Sequence, residues 1–177
     1  NLQFNKDLGG TLPSTLGKMA QLRHIGFQWC NFGGTIPSWI GELAGLKYLG
    51  LGNNQFTGEV PKEIASLTDL ELLGLDDNDL SANIELFSGL KAIKSLYLED
   101  NQITGTLSDA LFVEWPKLQE LDLSNNQLTG PLPDNFFNHA NDLRVVDLSK
   151  NAFSGMLPVP GWENEQLEFL ALDENKL

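Results

Sequence analysis

The sequence predicts an α/β repeat solenoid, a right-handed superhelix of short parallel strands, and two observations carry that reading. The first is a pattern, clearest from Leu118 to Pro133, that runs L-x-x-L-x-L-x-x-N-x-L-x-G-x-L-P. Leu22, Leu46, Leu70, Ile93, Leu118, Leu143 and Leu167 each reopen it. The second is the regular return of its Asn position. Asn5, Cys30, Asn54, Asn78, Asn101, Asn126, Asn151 and Asn175 fill it in steps of 25, 24, 24, 23, 25, 25 and 24 residues. Such a period is the mark of units that bury their apolar faces only by stacking on one another. A single array over 1–177 is expected, with partial units at 1–21 and 167–177 and full units starting near 22, 46, 70, 93, 118 and 143.

Each element of the unit has its own physical reason. In L-x-L the leucines lie two apart, so in a strand they share one side and the x residues take the other. A strand this short cannot bury its leucines alone, and parallel neighbours supply the missing wall. The Asn turns the chain inward, and its amide, donor and acceptor at once, serves as a structural ladder that satisfies turn backbone. Gly10, Gly34, Gly58, Gly105, Gly130 and Gly155 follow it where a side chain would obstruct the path. Pro13, Pro37, Pro61, Pro133 and Pro158 then fix φ and remove a donor.

The tail of the unit, as in TIPSWIGEL from Thr35 to Leu43, resembles the plant-specific class of leucine-rich repeats. That class includes receptor-like kinase ectodomains and polygalacturonase-inhibiting proteins. The resemblance covers the whole chain. It implies a parallel concave sheet, short flank strands from the G-x-I-P segments, and short 3₁₀ or α turns on the convex side.

Taken in order, the units differ at a few places. The first carries an extra residue between Asn5 and Leu8, and the second has Cys30 for Asn with Trp29 beside it. The third is regular. The fourth puts Ala82 where Gly belongs and Glu85 where Pro belongs, which predicts a lost or distorted flank strand. The fifth has Ser108 for Pro and a longer convex stretch, LFVEWPKL. Beyond the seventh Leu-Pro pair, Val159-Pro160-Gly161-Trp162 reads as an irregular loop. No polar capping unit or cysteine pair marks either end, so the chain reads as an internal segment of a longer protein, and it contains no N-x-S/T sequon.

With 41% apolar residues the chain is globular. No apolar run is long enough to insert in a membrane. One cysteine excludes an internal disulfide. The net charge of −13 is unevenly placed: three acids face four bases over residues 1–59, and 21 acids face seven bases over 60–177. Nucleic acid and anionic membrane, which need positive surface, are therefore poor partners, and basic proteins, polyamines, divalent cations or simple solubility remain.

On the open face the x residues form columns that run up the stack. Gly26, Gly50 and Gly74 suggest a trough without side chains, walled by Trp29 and Tyr48. Asp76, Asp77, Glu99, Asp100, Glu120, Asp122 and Asp147 converge on neighbouring rungs, where like charges oppose one another. They read either as a solvated acidic face, as a seat for a basic partner, or as a Ca²⁺ site, which would need six or more oxygens. With Tyr97 and Phe169 added, these residues and the two trough walls make up the candidate ligand-binding face. Catalysis finds little support. His24 and His139 are the histidines, Cys30 should point inward, and there is no phosphate loop or metal-ligand spacing. No cofactor is implied, and Trp39, Trp115 and Trp162 read as packing over convex turns.

The expected function is recognition of a protein or peptide across the concave face, outside the cell or on its surface, as the resemblance implies for a receptor ectodomain or hydrolase inhibitor. The alternative is an architectural subunit or spacer that makes its contacts through the flanks and convex side. Surface binding, such as to ice, would want a flat row of Thr, and Thr57, Ser81, Thr104, Thr129 and Ser154 supply an imperfect one.

Overall fold

The computed structural model describes residues 1–134, 142–157 and 164–177. Pro158, His139, Trp162 and the loop expected at 159–162 lie outside the described residues. Among the described residues, strands numbered in chain order alternate between two parallel sheets. The concave sheet holds β1 (His24–Gly26), β3 (Tyr48–Gly50), β5 (Leu72–Gly74), β7 (Ser95–Tyr97), β9 (Glu120–Asp122), β11 (Val145–Asp147) and β13 (Phe169–Ala171). The flank sheet holds β2 (Gly33–Gly34), β4 (Gln55–Glu59), β6 (Asp79–Asn83), β8 (Gln102–Thr106), β10 (Gln127–Gly130) and β12 (Ala152–Phe153). In each sheet every strand pairs with its counterparts one rung away.

Register in the concave sheet places equivalent residues side by side: His24 faces Tyr48, which faces Leu72, and so on through Ser95, Glu120, Val145 and Phe169. The middle residue of each strand points into the core. Ile25, Leu49, Leu73, Leu96, Leu121 and Val146 are buried, so the flanking x residues must face out. Phe56, Leu80, Ile103, Leu128 and Phe153 bring the flank strands onto the same core.

The convex side is made of single turns. Three of them, Ser14–Lys18, Ser38–Glu42 and Lys62–Ser66, are 3₁₀ turns that open after Pro13, Pro37 and Pro61. No side chain caps these three; the ring of each proline sets the entry angle instead. The two rungs that lack this proline start their turns with a side chain. Asn83 accepts from Glu85 N to open the 3₁₀ turn Ile84–Gly89, and Ser108 accepts from Leu111 N to open α1 (Asp109–Glu114). The longer fifth convex stretch is thus a turn of α-helix. Trp115 closes it, fully buried, with its indole N–H donating to Phe87 O at 3.0 Å. Trp39 lies partly buried against Gly17. Neighbouring turns approach so closely that any side chain at Gly89 would collide with the Ala65 carbonyl.

The fourth rung corrects the expectation from Ala82 and Glu85. Its flank strand is present as β6 and pairs with β4 on one side and β8 on the other. Where other rungs bend through a glycine at positive φ, here Leu80, Ala82 and Ile84 all point inward, the alternation of an ordinary extended strand. The methyl of Ala82 fills the core side, and the Asn83 cap replaces proline.

From Asn54 onward each Asn of the ladder bridges two rungs. Asn54 Nδ2 donates to Leu51 O (2.8 Å) and Gly52 O (3.0 Å) on its own rung and to Phe27 O (2.8 Å) on the previous one. Its Oδ1 accepts from Phe32 N at 3.0 Å. Asn78, Asn101, Asn126, Asn151 and Asn175 repeat the donor set. Asn5 donates to Leu2 O and Gln3 O. Cys30, wholly buried, turns its Sγ to Leu2 O at 2.9 Å and Gln28 O at 3.4 Å. One weak donor thus stands in for an amide. Its backbone carbonyl takes the donor from the rung before, Gly9 N, at 2.9 Å.

Candidate functional site

The concave face is built from the outward residues of the concave strands and the turn that follows each. Its floor at the second, third and fourth rungs differs from expectation. Gly26 and Gly50 make no open trough, because neighbouring side chains lie across them, while a Cβ at Gly74 would meet the edge of the Asp76 carboxylate at 3.3 Å. A side chain at Gly50 would collide with the Gln28 amide, and one at Gly52 with the Asp76 carboxylate. Over Gly26, Asn1 Oδ1 and Gln3 Nε2 come within 3.0 and 3.1 Å of where a Cβ would be. Gln3 Nε2 donates to Gln28 Oε1 (2.6 Å) and to the Tyr48 hydroxyl (3.2 Å), and Gln28 Nε2 also donates to that hydroxyl. The glycines are the space that this amide–phenol cluster occupies.

From the fourth rung onward the face is acidic. Asp76 accepts from Asn53 Nδ2 at 2.6 Å, yet burial pushes its carboxyl above the usual range, with Asp77 and Asp122 adding repulsion. Glu99, one rung on, is pushed up to about 8, first by burial and then by the charge of Asp122. Its Oε2 is shut away from solvent without a hydrogen-bond partner among the described residues. Burial raises Asp122 as well, against the pull of hydrogen bonds from Ser124 N (3.0 Å) and Oγ (2.7 Å). Asp147 holds the same turn one rung later, with Ser149 N at 2.9 Å and Oγ at 2.6 Å.

Asp76, Glu99 and Asp122 are thus gathered on consecutive rungs, while Asp77 and Asp100 stand exposed on the outer turn at φ of 48° and 54°. Glu120 accepts from the Tyr97 hydroxyl. Phe169 is half exposed at the far end, six rungs from Trp29, and shares no local site with it.

One row escaped the sequence reading. The residue after each opening leucine, Arg23, Lys47, Glu71, Lys94, Gln119, Arg144 and Glu168, lines the upstream edge of the concave sheet and is rich in bases. Lys47 Nζ and Lys94 Nζ grip the two oxygens of Glu71 at 2.8 and 2.7 Å. Hydrogen bonds from Lys47 and Lys94 hold the Glu71 carboxyl down to about 2. These three residues, with His24, Tyr48 and Leu72, line a cleft of about 300 Å³. The signal was available, since the row recurs at the same period as the ladder. The concave face therefore carries cations along its upstream edge and carboxylates along its downstream edge. No group of three or more His, Cys, Asp or Glu side chains among the described residues is placed to hold a metal ion.

Leucine-rich-repeat family models match residues 81–128, 21–43 and 45–67, together more than half of the chain. The LRR ectodomain of the receptor kinase SOBIR1 from Arabidopsis thaliana is 35% identical with a TM-score of 0.63, over 71% of this chain and 67% of that one. The chain belongs to the leucine-rich-repeat family, in its plant-specific form. It is also similar to the LRR ectodomain of the Arabidopsis thaliana receptor kinase GASSHO1/SCHENGEN3, solved in complex with CASPARIAN STRIP INTEGRITY FACTOR 2. There the identity is 37% and the TM-score 0.86, over 94% of this chain and 20% of that one. The Arabidopsis receptor kinase HAESA, solved with the peptide hormone IDA and the co-receptor SERK1, matches at 34% identity and a TM-score of 0.84. That match covers 94% of this chain and 28% of the other. The leucine-rich-repeat chain thus spans about a fifth of the length of the first of these receptors and a little over a quarter of the second. No curated protein sequence matches it. No helix among the described residues is long and apolar enough to cross a membrane.

Proposed function

We propose that the chain is a non-catalytic recognition module of an extracellular receptor-type protein, binding a basic peptide or protein segment across its concave face. The observation that carries this reading is the charge separation across that face, a downstream bank of carboxylates opposite an upstream row of Lys and Arg. Crowding carboxylates until burial raises Asp76, Glu99 and Asp122 is unfavourable in the free protein, and a cation laid among them relieves it. The similar receptors solved with peptide ligands support the same class of partner.

The geometry also selects the substitutions that test it. Asp122 and Asp147 each hold a turn through a serine, so reversing them would strain the scaffold. Asp77 and Asp100 sit instead at the positive-φ position that Lys150 occupies, at 53°, on a later rung. Asp77→Lys with Asp100→Lys therefore reverses both charges on a backbone already compatible with lysine. A lysine- and arginine-rich dodecapeptide, titrated at low salt, is expected to bind the native protein and to bind the double variant at least about tenfold more weakly. Affinity should fall with ionic strength. Equal affinity for both proteins would rule out the acidic bank as the seat.

A further inference from the structure

Downstream of the concave face, where the chain turns toward the flank sheet, a second cleft of about 420 Å³ opens around Trp29. Its backbone setting is unusual. The residue before each ladder position takes positive φ, and on later rungs it is Asn53, Asp77, Asp100, Asn125, Lys150 or Glu174. Asn and Asp tolerate that region best, whereas a bulky aromatic there is strained. The first two rungs nonetheless place Phe4 and Trp29 there, at φ of 64° and 59°. Neither ring is sunk in the core. Phe4 is 71% exposed and Trp29 41%, and they stack on each other with centroids 6.4 Å apart and planes 13° from parallel. Trp29, one rung further in, keeps 41% of its surface exposed at a position where later rungs mostly place Asn or Asp, and strain kept at an exposed ring points to a binding role.

The rest of the cleft is polar. Lys6 holds its ammonium 5.7 Å from the Trp29 ring centre, and the other walls are Asn31, Asn53, Gln55 and Asp77. Gln55 Nε2 donates to Asn31 Oδ1 at 2.5 Å, and Asn53 Nδ2 is engaged by Asp76. Asn31 Nδ2, Gln55 Oε1, Asn53 Oδ1 and the Asp77 carboxylate are left without hydrogen-bond partners among the described residues. An indole bordered by an unused amide donor, amide acceptors and a carboxylate matches a ring with an apolar C–H face and hydroxyls around its rim. The same walls discriminate against other guests. Lys6 already takes the cation's place at the ring, so a cationic head is repelled. A single lysine beside Asp77, in a chain of net charge −13, makes no phosphate site. Apart from the indole there is no apolar wall to bury an aliphatic side chain.

We propose that this cleft binds a neutral saccharide, with one pyranose ring stacked on Trp29 and its hydroxyls bonded to Asn31, Asn53, Gln55 and Asp77. The site adjoins the acidic bank and shares Asp77 with it, but Trp29 and Gln55 lie outside the bank, so substitutions at those two test the saccharide alone.

Cellohexaose, laminarihexaose and mannohexaose are the probes, titrated to millimolar concentration while Trp29 is followed by its indole N–H resonance. At least one is expected to shift that resonance saturably and leave the buried Trp115 resonance in place. Trp29→Asn installs the residue that Asn53 and Asn125 show the backbone prefers. It should lose the response, read by calorimetry, while its melting temperature stays equal or rises. A merely structural tryptophan would give the opposite sign in stability. Gln55→Ala, which leaves the ring in place, should weaken the same saccharide. Silence from all three saccharides, or undiminished binding by Trp29→Asn, overturns the assignment. A response to an aromatic peptide in place of any sugar overturns it equally.

Discussion

The first three rungs and the three that follow share one backbone plan, yet their open faces are chemically opposed. Over the first, Gln3 and Gln28 lie over glycines and, with the Tyr48 hydroxyl, satisfy one another through neutral hydrogen bonds. Over the others, Asp76, Glu99 and Asp122 crowd together, and Glu99 keeps an oxygen with no partner among the described residues. Stability is concentrated in what the two regions share, the leucine core and the ladder, and the faces are free to diverge. The faces even impose a cost in the middle rungs, where burial and repulsion act against ionised carboxylates.

The largest effect should come from the shared part. Asn101 donates to Leu75 O, Leu98 O and Glu99 O and accepts from Leu80 N. Asn101→Ala strands several buried backbone groups at once and should cost about 3 kcal/mol, measured by urea unfolding. A loss under about 1 kcal/mol would mean that water replaces the amide and that the ladder is dispensable.

Next in size is the titration of the middle face. Glu99, raised from 4.5 to about 8 in the fold, holds a proton there that the unfolded chain releases near 4.5. The folded state therefore binds more protons across that interval. Its stability should decline as pH rises from about 4.5 and level off above about 8. Asp76 and Asp122, also raised, act with the same sign. Glu71, held near 2 by two lysines, acts oppositely: its contribution is present above 4.5 and lost as pH falls toward 2. That contribution is small, because the group is partly exposed and solvent screens it. Glu99→Gln should flatten the decline between pH 4.5 and about 8 and raise the melting temperature at pH near 8 by a few degrees, about what 1 kcal/mol produces in a chain of this size. A decline left undiminished by this substitution would place the titration elsewhere.

The smallest effect belongs to the first region. Cys30→Asn replaces one weak donor with an amide able to reach the same carbonyls, and should stabilise by up to about 1 kcal/mol in thermal unfolding. Because Cys30 is wholly buried, its thiol should react slowly with alkylating reagents unless the fold opens. Rapid labelling of the native protein would show that the ladder is loose at this rung.

Much of this molecule was legible in the residues, because a period near 24 puts each leucine, Asn and Pro into the same environment on every rung. That repetition determined the concave strands, the inward leucines, the row of ladder amides and the convex turns. At Ala82, local rules predicted a broken flank strand, but hydrogen bonds from β4 and β8 hold β6 extended and Asn83 caps where proline was missing. The candidate face was legible as a set of columns but not as chemistry. Whether a glycine column is an open trough depends on side chains of adjacent rungs, which stacking brings within reach. Sequence spacing cannot say that Gln28 lies over Gly50 or that Asp76 lies over Gly52. Nor can it rank acids, since Glu99 differs from the exposed Asp100 beside it chiefly in burial. By itself, then, the sequence determined the periodic part of the protein, whose causes are local and repeated. The tertiary structure decided the floor of the face, the partnering of its charges and the cleft at Trp29, because those depend on distances between rungs that no single unit contains.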